Sequence, residues 1–129
     1  MIVVDTSVWV DFFNGVETAE SNRLDELLGR EPLAIGDLIL TEILQGFRRD
    51  SAYRQARELL LSLTIFEMLG IERALQSASN FRRLRKLGLT VRKTADIIIA
   101  SSCISEGHQL LFSDKDFLPF VEHLGLERA

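Results

Sequence analysis

Three apolar β-formers, Ile2-Val3-Val4, stand at the start of the chain and run straight into a carboxylate, Asp5. A run of the same kind, Leu110-Leu111-Phe112, lies near the other end and is soon followed by Asp114. Short continuous apolar runs suit strands of a parallel sheet, because helices cover both faces of such a sheet. Parallel strands also need long crossovers, usually helical. The two runs therefore restrict the chain to an α/β architecture, with helices between the strands.

Apolar periodicity supplies those helices. Val8, Trp9, Phe12 and Phe13 share one helical face, with Thr6 or Ser7 as the cap and Asn14-Gly15 as the stop. Trp9, Phe12 and Phe13 are expected to fill core or a dimer seam rather than to stack on bases. A second helix is expected over 21–28 and a short strand over 33–35. Asp37 reads as the N-cap of a helix running to Phe47, and another helix covers 51–63. A strand over 64–68 leads to a long helix from Ile71 that Gly88 ends. Thr94 reads as the cap of a helix over 95–106 that is apolar nearly all round and therefore buried. The strand over 109–113 is followed by a short turn or helix with Phe117, Leu118 and Phe120, then an edge strand over 124–127. The alternation of strands with helix pairs indicates one compact α/β domain around a central, mostly parallel sheet.

Composition narrows the function classes. The 129 residues include one cysteine, Cys103, and two histidines, which excludes an internal disulfide, Cys-rich metal sites and a three-His zinc centre. No apolar run reaches the roughly 18 residues a bilayer requires, and no charged leader precedes Ile2, so a cytoplasmic protein is expected. The net charge of −4 argues against indiscriminate nucleic-acid binding. Its distribution is uneven, however. Residues 48–93 hold eleven Lys and Arg against four acids, a charge of +7, and the remainder carries −11. Such a run is either a solvated helix face or a surface for phosphates. The residues in question are Arg48, Arg49, Arg82, Arg83, Arg85, Lys86, Arg92 and Lys93.

Four carboxylates stand where their surroundings should bury or orient them. Asp5 ends the first strand, Glu42 lies in an otherwise apolar helical stretch, Asp96 sits in the first turn of the buried helix, and Asp114 follows a buried strand with Asp116 two residues on. Singly, Asp96 suits a helix dipole, Asp114 or Asp116 an N-cap, and Glu42 a wet helix face. Jointly they fall at strand ends and helix starts, which share one edge of a parallel sheet. Like charges about 4 Å apart repel by on the order of 4 kcal/mol at an effective dielectric near 20. A cluster of this kind needs protons or cations, and oxygen-only ligands suit Mg²⁺ or Mn²⁺. Phosphodiester hydrolysis is the reaction such a site serves.

Four stretches then carry a resemblance: Val3-Val4-Asp5-Thr6-Ser7, Thr41-Glu42-Ile43-Leu44-Gln45-Gly46 (an E-x-x-x-G), Ala95-Asp96-Ile97-Ile98-Ile99-Ala100, and Leu111-Phe112-Ser113-Asp114-Lys115-Asp116-Phe117. In order and spacing the chain resembles the PIN-domain family, and within it the VapC-type toxins of toxin–antitoxin pairs. The resemblance spans nearly the whole chain. It implies a single PIN domain over 1–129, a three-layer sandwich with four to five mostly parallel strands flanked by helices. It implies a Mg²⁺-dependent endoribonuclease, with Mn²⁺ as a substitute, in which Asp5, Glu42, Asp96 and Asp114 are catalytic and hold the metal. Thr6 and Ser7 would support Asp5, with Ser113 and Asp116 also in supporting places, and Gly46 would allow close helix packing. Ser113 stands where the family usually has Thr. The implied partners are RNA, including transfer RNA, a small VapB-type antitoxin and a second copy of the chain. Two other functions compete: a non-catalytic PIN-like module that binds RNA or scaffolds, and a phosphotransfer domain using Asp5 as nucleophile. The first would be expected to have lost acids that this chain keeps. The second wants another acid at position 7, where Ser stands.

Overall fold

The computed structural model describes residues 1–129. Its five strands are β1 (Ile2–Val4), β2 (Leu33–Gly36), β3 (Thr64–Phe66), β4 (Gln109–Leu111) and β5 (Glu127–Arg128). They form one sheet in the order β3-β2-β1-β4-β5, with every neighbouring pair parallel. The helices are α1 (Thr6–Phe13), α2 (Ala19–Leu27), α3 (Asp37–Leu44), α4 (Asp50–Leu61), α5 (Ile71–Lys86), α6 (Thr94–Glu106) and α7 (Leu118–His123), with a 3₁₀ turn over Lys115–Phe117.

The α/β reading holds, and the sheet is parallel throughout. From β1 the chain steps outward to β2 and β3, then returns past β1 to β4. Right-handed crossovers put the helices of the outward steps on one face and those of the return on the other. In agreement, α1 packs on α2 and α3, while α5 packs on α6. The order reverses between β1 and β4, and the carboxyl ends of strands at such a reversal border a crevice. One cluster of 25 buried apolar residues reaches from Val3 to Leu126. Trp9 is fully buried and stacks on Phe13 at 5.7 Å between ring centroids. Helix α6 buries Ile97, Ile99, Ala100 and Cys103, and burial pushes the Cys103 thiol up to about 12.

Several boundaries differ from the sequence expectation. Helix α2 starts two residues early, because Thr18 and Ser21 cap each other's backbone N–H groups. Helix α3 ends at Leu44 rather than Phe47. Its N-cap is Gly36, and Asp37 instead accepts from the N–H groups of Leu38 and Met68 on one oxygen, tying the loop after β3 to the end of β2. Lys93, not Thr94, is the N-cap of α6. The edge strand β5 lies at the far end of the expected segment, since Leu126 is drawn into the core. At Gly36 a Cβ would come within 2.0 Å of the buried Met68 sulfur, so this position holds glycine for close approach. Gly46 is different: an added Cβ would meet only carbonyls of the preceding helix, the nearer at 3.4 Å. No neighbouring helix presses on Gly46.

Candidate metal centre

Asp5 leaves β1 at the central strand of the sheet and takes the N-cap position of α1. It is 5% exposed, and its N–H donates to the Leu111 carbonyl of β4 at 2.9 Å. Burial raises its pKa above the usual carboxylate range, the Ser7 hydroxyl and the Thr6 and Ser7 N–H groups pull it down, and the Glu42 charge pushes it up again. Ser7 Oγ donates to Asp5 Oδ2 at 2.9 Å. Thr6, expected beside Ser7 as support for Asp5, sends its hydroxyl elsewhere: Thr6 Oγ1 donates to Glu42 Oε1 at 2.8 Å. Neither hydroxyl caps α1.

Asp96 occupies the first turn of α6, where the helix dipole favours an anion. It is 8% exposed, and its Oδ2 is buried without any hydrogen-bond partner. Its pKa rises to about 6, first through burial, then through the charges of Asp5 and Asp114, with Lys93 opposing. Asp114 caps the 3₁₀ turn by accepting from the Asp116 N–H at 2.9 Å. That turn folds Asp116 back, so that carboxylate oxygens of Asp96, Asp114 and Asp116 all lie within 4.8 Å of one another.

The structure thus brings Asp96, Asp114 and Asp116 into one cluster, with Asp5 near enough to act on Asp96 and Glu42 near enough to act on Asp5. Asp116, expected only in a supporting place, stands among the acids themselves. The D-x-D spacing was the signal for it, but only the 3₁₀ turn aims the second carboxylate inward. Ser113 is exposed and makes no hydrogen bond to the acids. The basic residues Arg48, Arg49, Arg82, Arg83, Arg85, Lys86, Arg92 and Lys93 are all exposed. None is in an ion pair, since the two pairs present are Arg73–Glu106 and Glu122–His123.

The donor set suits a hard divalent cation. Three carboxylates converge without a paired base, and one buried oxygen lacks any partner. Leaving a buried charged oxygen unsatisfied is costly, so the arrangement calls for a proton or a cation. Histidine and cysteine are absent from the cluster, which favours an oxygen-seeking ion. No helix is long and apolar enough to cross a membrane.

The sequence and the fold both have counterparts among known proteins. The PIN domain family model matches residues 2–120. The VapC ribonuclease Mb1587 of Mycobacterium bovis is 31% identical over 134 aligned positions, which cover 100% of this chain and 98% of that protein. Ribonuclease VapC11 of Mycobacterium tuberculosis aligns with the same identity and coverage. Among solved structures, VapBC2 from Rickettsia felis, bound to a DNA fragment from its promoter, superposes with a TM-score of 0.76 at 22% identity, over 100% of this chain and 98% of that one. VapBC-1 from nontypeable Haemophilus influenzae gives 0.74 at 19% identity, over 100% and 97%. At these identities the two structures speak for the fold.

Proposed function

Since the chain belongs to the PIN domain family, in its VapC-type branch, we propose that it is the toxin of a toxin–antitoxin pair, an endoribonuclease that hydrolyses RNA with Mg²⁺. The observation that carries this reading is Asp96, which has one buried, unpartnered oxygen and whose carboxylate clusters with those of Asp114 and Asp116. Asp96, Asp114 and Asp116 would hold the ion, and Asp5 would complete its surroundings from the end of β1. Mn²⁺ is the substitute expected from the same oxygen ligands. Bound there, the ion would lower the pKa of a water and offset charge developing on a phosphate.

The chain's own groups do the rest. Thr6 occupies one oxygen of Glu42, which fixes that side chain and leaves Oε2 free to take a proton from the attacking water. Ser7 orients Asp5 by donating to its Oδ2. The exposed, unpaired Arg48, Arg49, Arg82, Arg83, Arg85, Lys86, Arg92 and Lys93 are available to RNA phosphates. Residues 1–129 act as one PIN domain, paired with a second copy and silenced by a VapB-type antitoxin. The setting is the cytoplasm, where transfer RNA is among the substrates to be tried first.

The test is cleavage of end-labelled RNA by the purified protein with Mg²⁺. Asp96→Asn and Asp5→Asn should each abolish cutting while leaving the fold intact by circular dichroism. RNA bound by the wild type but never cut, with Mg²⁺ or Mn²⁺, would replace the enzyme with a non-catalytic RNA-binding module.

A further inference from the structure

A cavity of about 510 Å³ lies between α5, the segment before α6, and α6 itself. Its volume is in the range of small-ligand sites. Ile97 and Ile98, which line one wall, directly follow Asp96 in the chain. Phe81, Val91 and Ala78 make the lining apolar, and Arg82, Arg85 and Arg92 belong to it with no acid among them. Arg85 stands over the Phe81 ring at 5.4 Å. Ser77, 6% exposed, is also part of the lining, and its hydroxyl is buried without a hydrogen-bond partner. A helical serine ordinarily returns its hydroxyl to the preceding turn, so this one has a hydrogen bond still to make.

We infer that this cavity seats one unpaired base of the RNA substrate, with the flanking phosphates on Arg82, Arg85 and Arg92. The inference rests on the ribonuclease reading above and adds where the strand is gripped beside the cut. The chemistry matches part by part. A base offers a flat apolar face for Phe81 and Val91, a hydrogen-bonding edge for Ser77, and an adjoining phosphate for the arginines. Aromatic stacking together with a cationic groove is how proteins hold single strands. An arginine lying over an aromatic ring extends that stacking platform. A protein segment would need an acidic, apolar sequence to satisfy the same lining. Ile97 and Ile98 put one wall of the cavity on the first turns of α6, the helix whose start also carries Asp96, which favours the substrate of that site.

The test is a scan of abasic positions through a single-stranded RNA of mixed sequence, about a dozen nucleotides long, with binding followed by fluorescence anisotropy without metal. Wild-type protein should lose roughly tenfold in affinity at one position, within what a single stacked base contributes. Ala78→Trp fills the cavity from an exposed helical site. It should bind the intact RNA as weakly as wild type binds the abasic one, and it should show no further abasic penalty. A flat scan on wild type, or a penalty that persists in Ala78→Trp, would overturn the inference. So would a change in the molecular mass of Ala78→Trp in solution, which would assign the cavity to a second copy of the chain. Cleavage assayed in parallel separates the two readings: RNA cut normally with a flat scan removes the base pocket alone, and no cutting removes the ribonuclease.

Discussion

Thr6 and Glu42, 36 residues apart in the chain, are joined by a 2.8 Å hydrogen bond from a hydroxyl on α1 to a carboxylate on α3. The bond links the end of the central strand to the helix that follows its neighbour. Hydrogen bonds to a charged partner are worth about 1.5–3 kcal/mol. If Glu42 handles the proton of the attacking water, Thr6→Val should slow RNA cleavage roughly ten- to hundredfold, the rate equivalent of that range. Thr6→Ser should restore most of it. The Mg²⁺ concentration for half-maximal activity should hardly move, because Asp96, Asp114 and Asp116 are untouched. Initial rates across a Mg²⁺ titration check all three points.

Asp96 places a charge where it opposes stability. Its buried carboxylate lies among other acids with one oxygen unpartnered. Asp96→Asn removes that charge at constant shape. In chelator the variant should melt higher than wild type by about 3–6 °C, which corresponds to roughly 1–2 kcal/mol after allowance for solvent screening. Saturating Mg²⁺ should stabilise wild type more than the variant, so the difference should shrink or reverse. Differential scanning calorimetry with and without Mg²⁺ measures both.

The same carboxyl gives the metal-free protein a pH signature. The folded pKa of Asp96 is about 6 against an ordinary value of 3.8, and that of Asp5 is raised as well. Below about pH 4 both the folded and unfolded forms carry the Asp96 proton, and its contribution to stability is complete. Between there and about pH 6 the folded form keeps a proton that the unfolded form has lost, so stability falls as pH rises. Above about pH 6 the contribution is gone. Subtracting the melting curve of Asp96→Asn from that of wild type, point by point across this window in chelator, should isolate a descending step. A rising or flat difference would contradict the burial of Asp96 as a charge.

Two glycines should behave in opposite ways. Gly36→Ala forces a methyl to within 2.0 Å of the Met68 sulfur in a buried position and should cost about 1–3 kcal/mol in urea unfolding. Gly46→Ala adds a methyl that meets nothing nearer than the Ile43 carbonyl at 3.4 Å, and should stay within about 0.5 kcal/mol of wild type. If Gly46→Ala nonetheless impairs the protein, the cause lies in a contact made by a partner rather than in the folded chain.

The apolar runs at Ile2–Val4 and Leu110–Phe112 made the parallel sheet legible, because full burial on both faces leaves a pattern that no polar strand shares. The same runs pointed to Asp5 and Asp114, since the strand ends of a parallel sheet share one edge and carboxylates gathered there call for a cation. What local sequence could not convey was where short side chains aim. Thr6 and Ser7 are adjacent and chemically alike, yet one serves Glu42 and the other Asp5. Their directions are set by the first turn of α1 and by the approach of α3, both products of packing. Asp116 and Asp37 follow the same logic. The 3₁₀ turn aims Asp116 at Asp96, and the return of the chain at Met68 draws Asp37 away from simple capping.

The sheet order has a bearing on how the protein comes into being. Its central strand is made first, but the partner that completes the crevice, β4, is made last but one, and Asp116 follows it. Asp5, Asp96, Asp114 and Asp116 can meet only after this late strand has paired with the earliest one. During synthesis this cluster therefore cannot form until β4 and the turn after it have emerged from the ribosome. Chain order alone thus keeps the candidate site unassembled while most of these residues are being made.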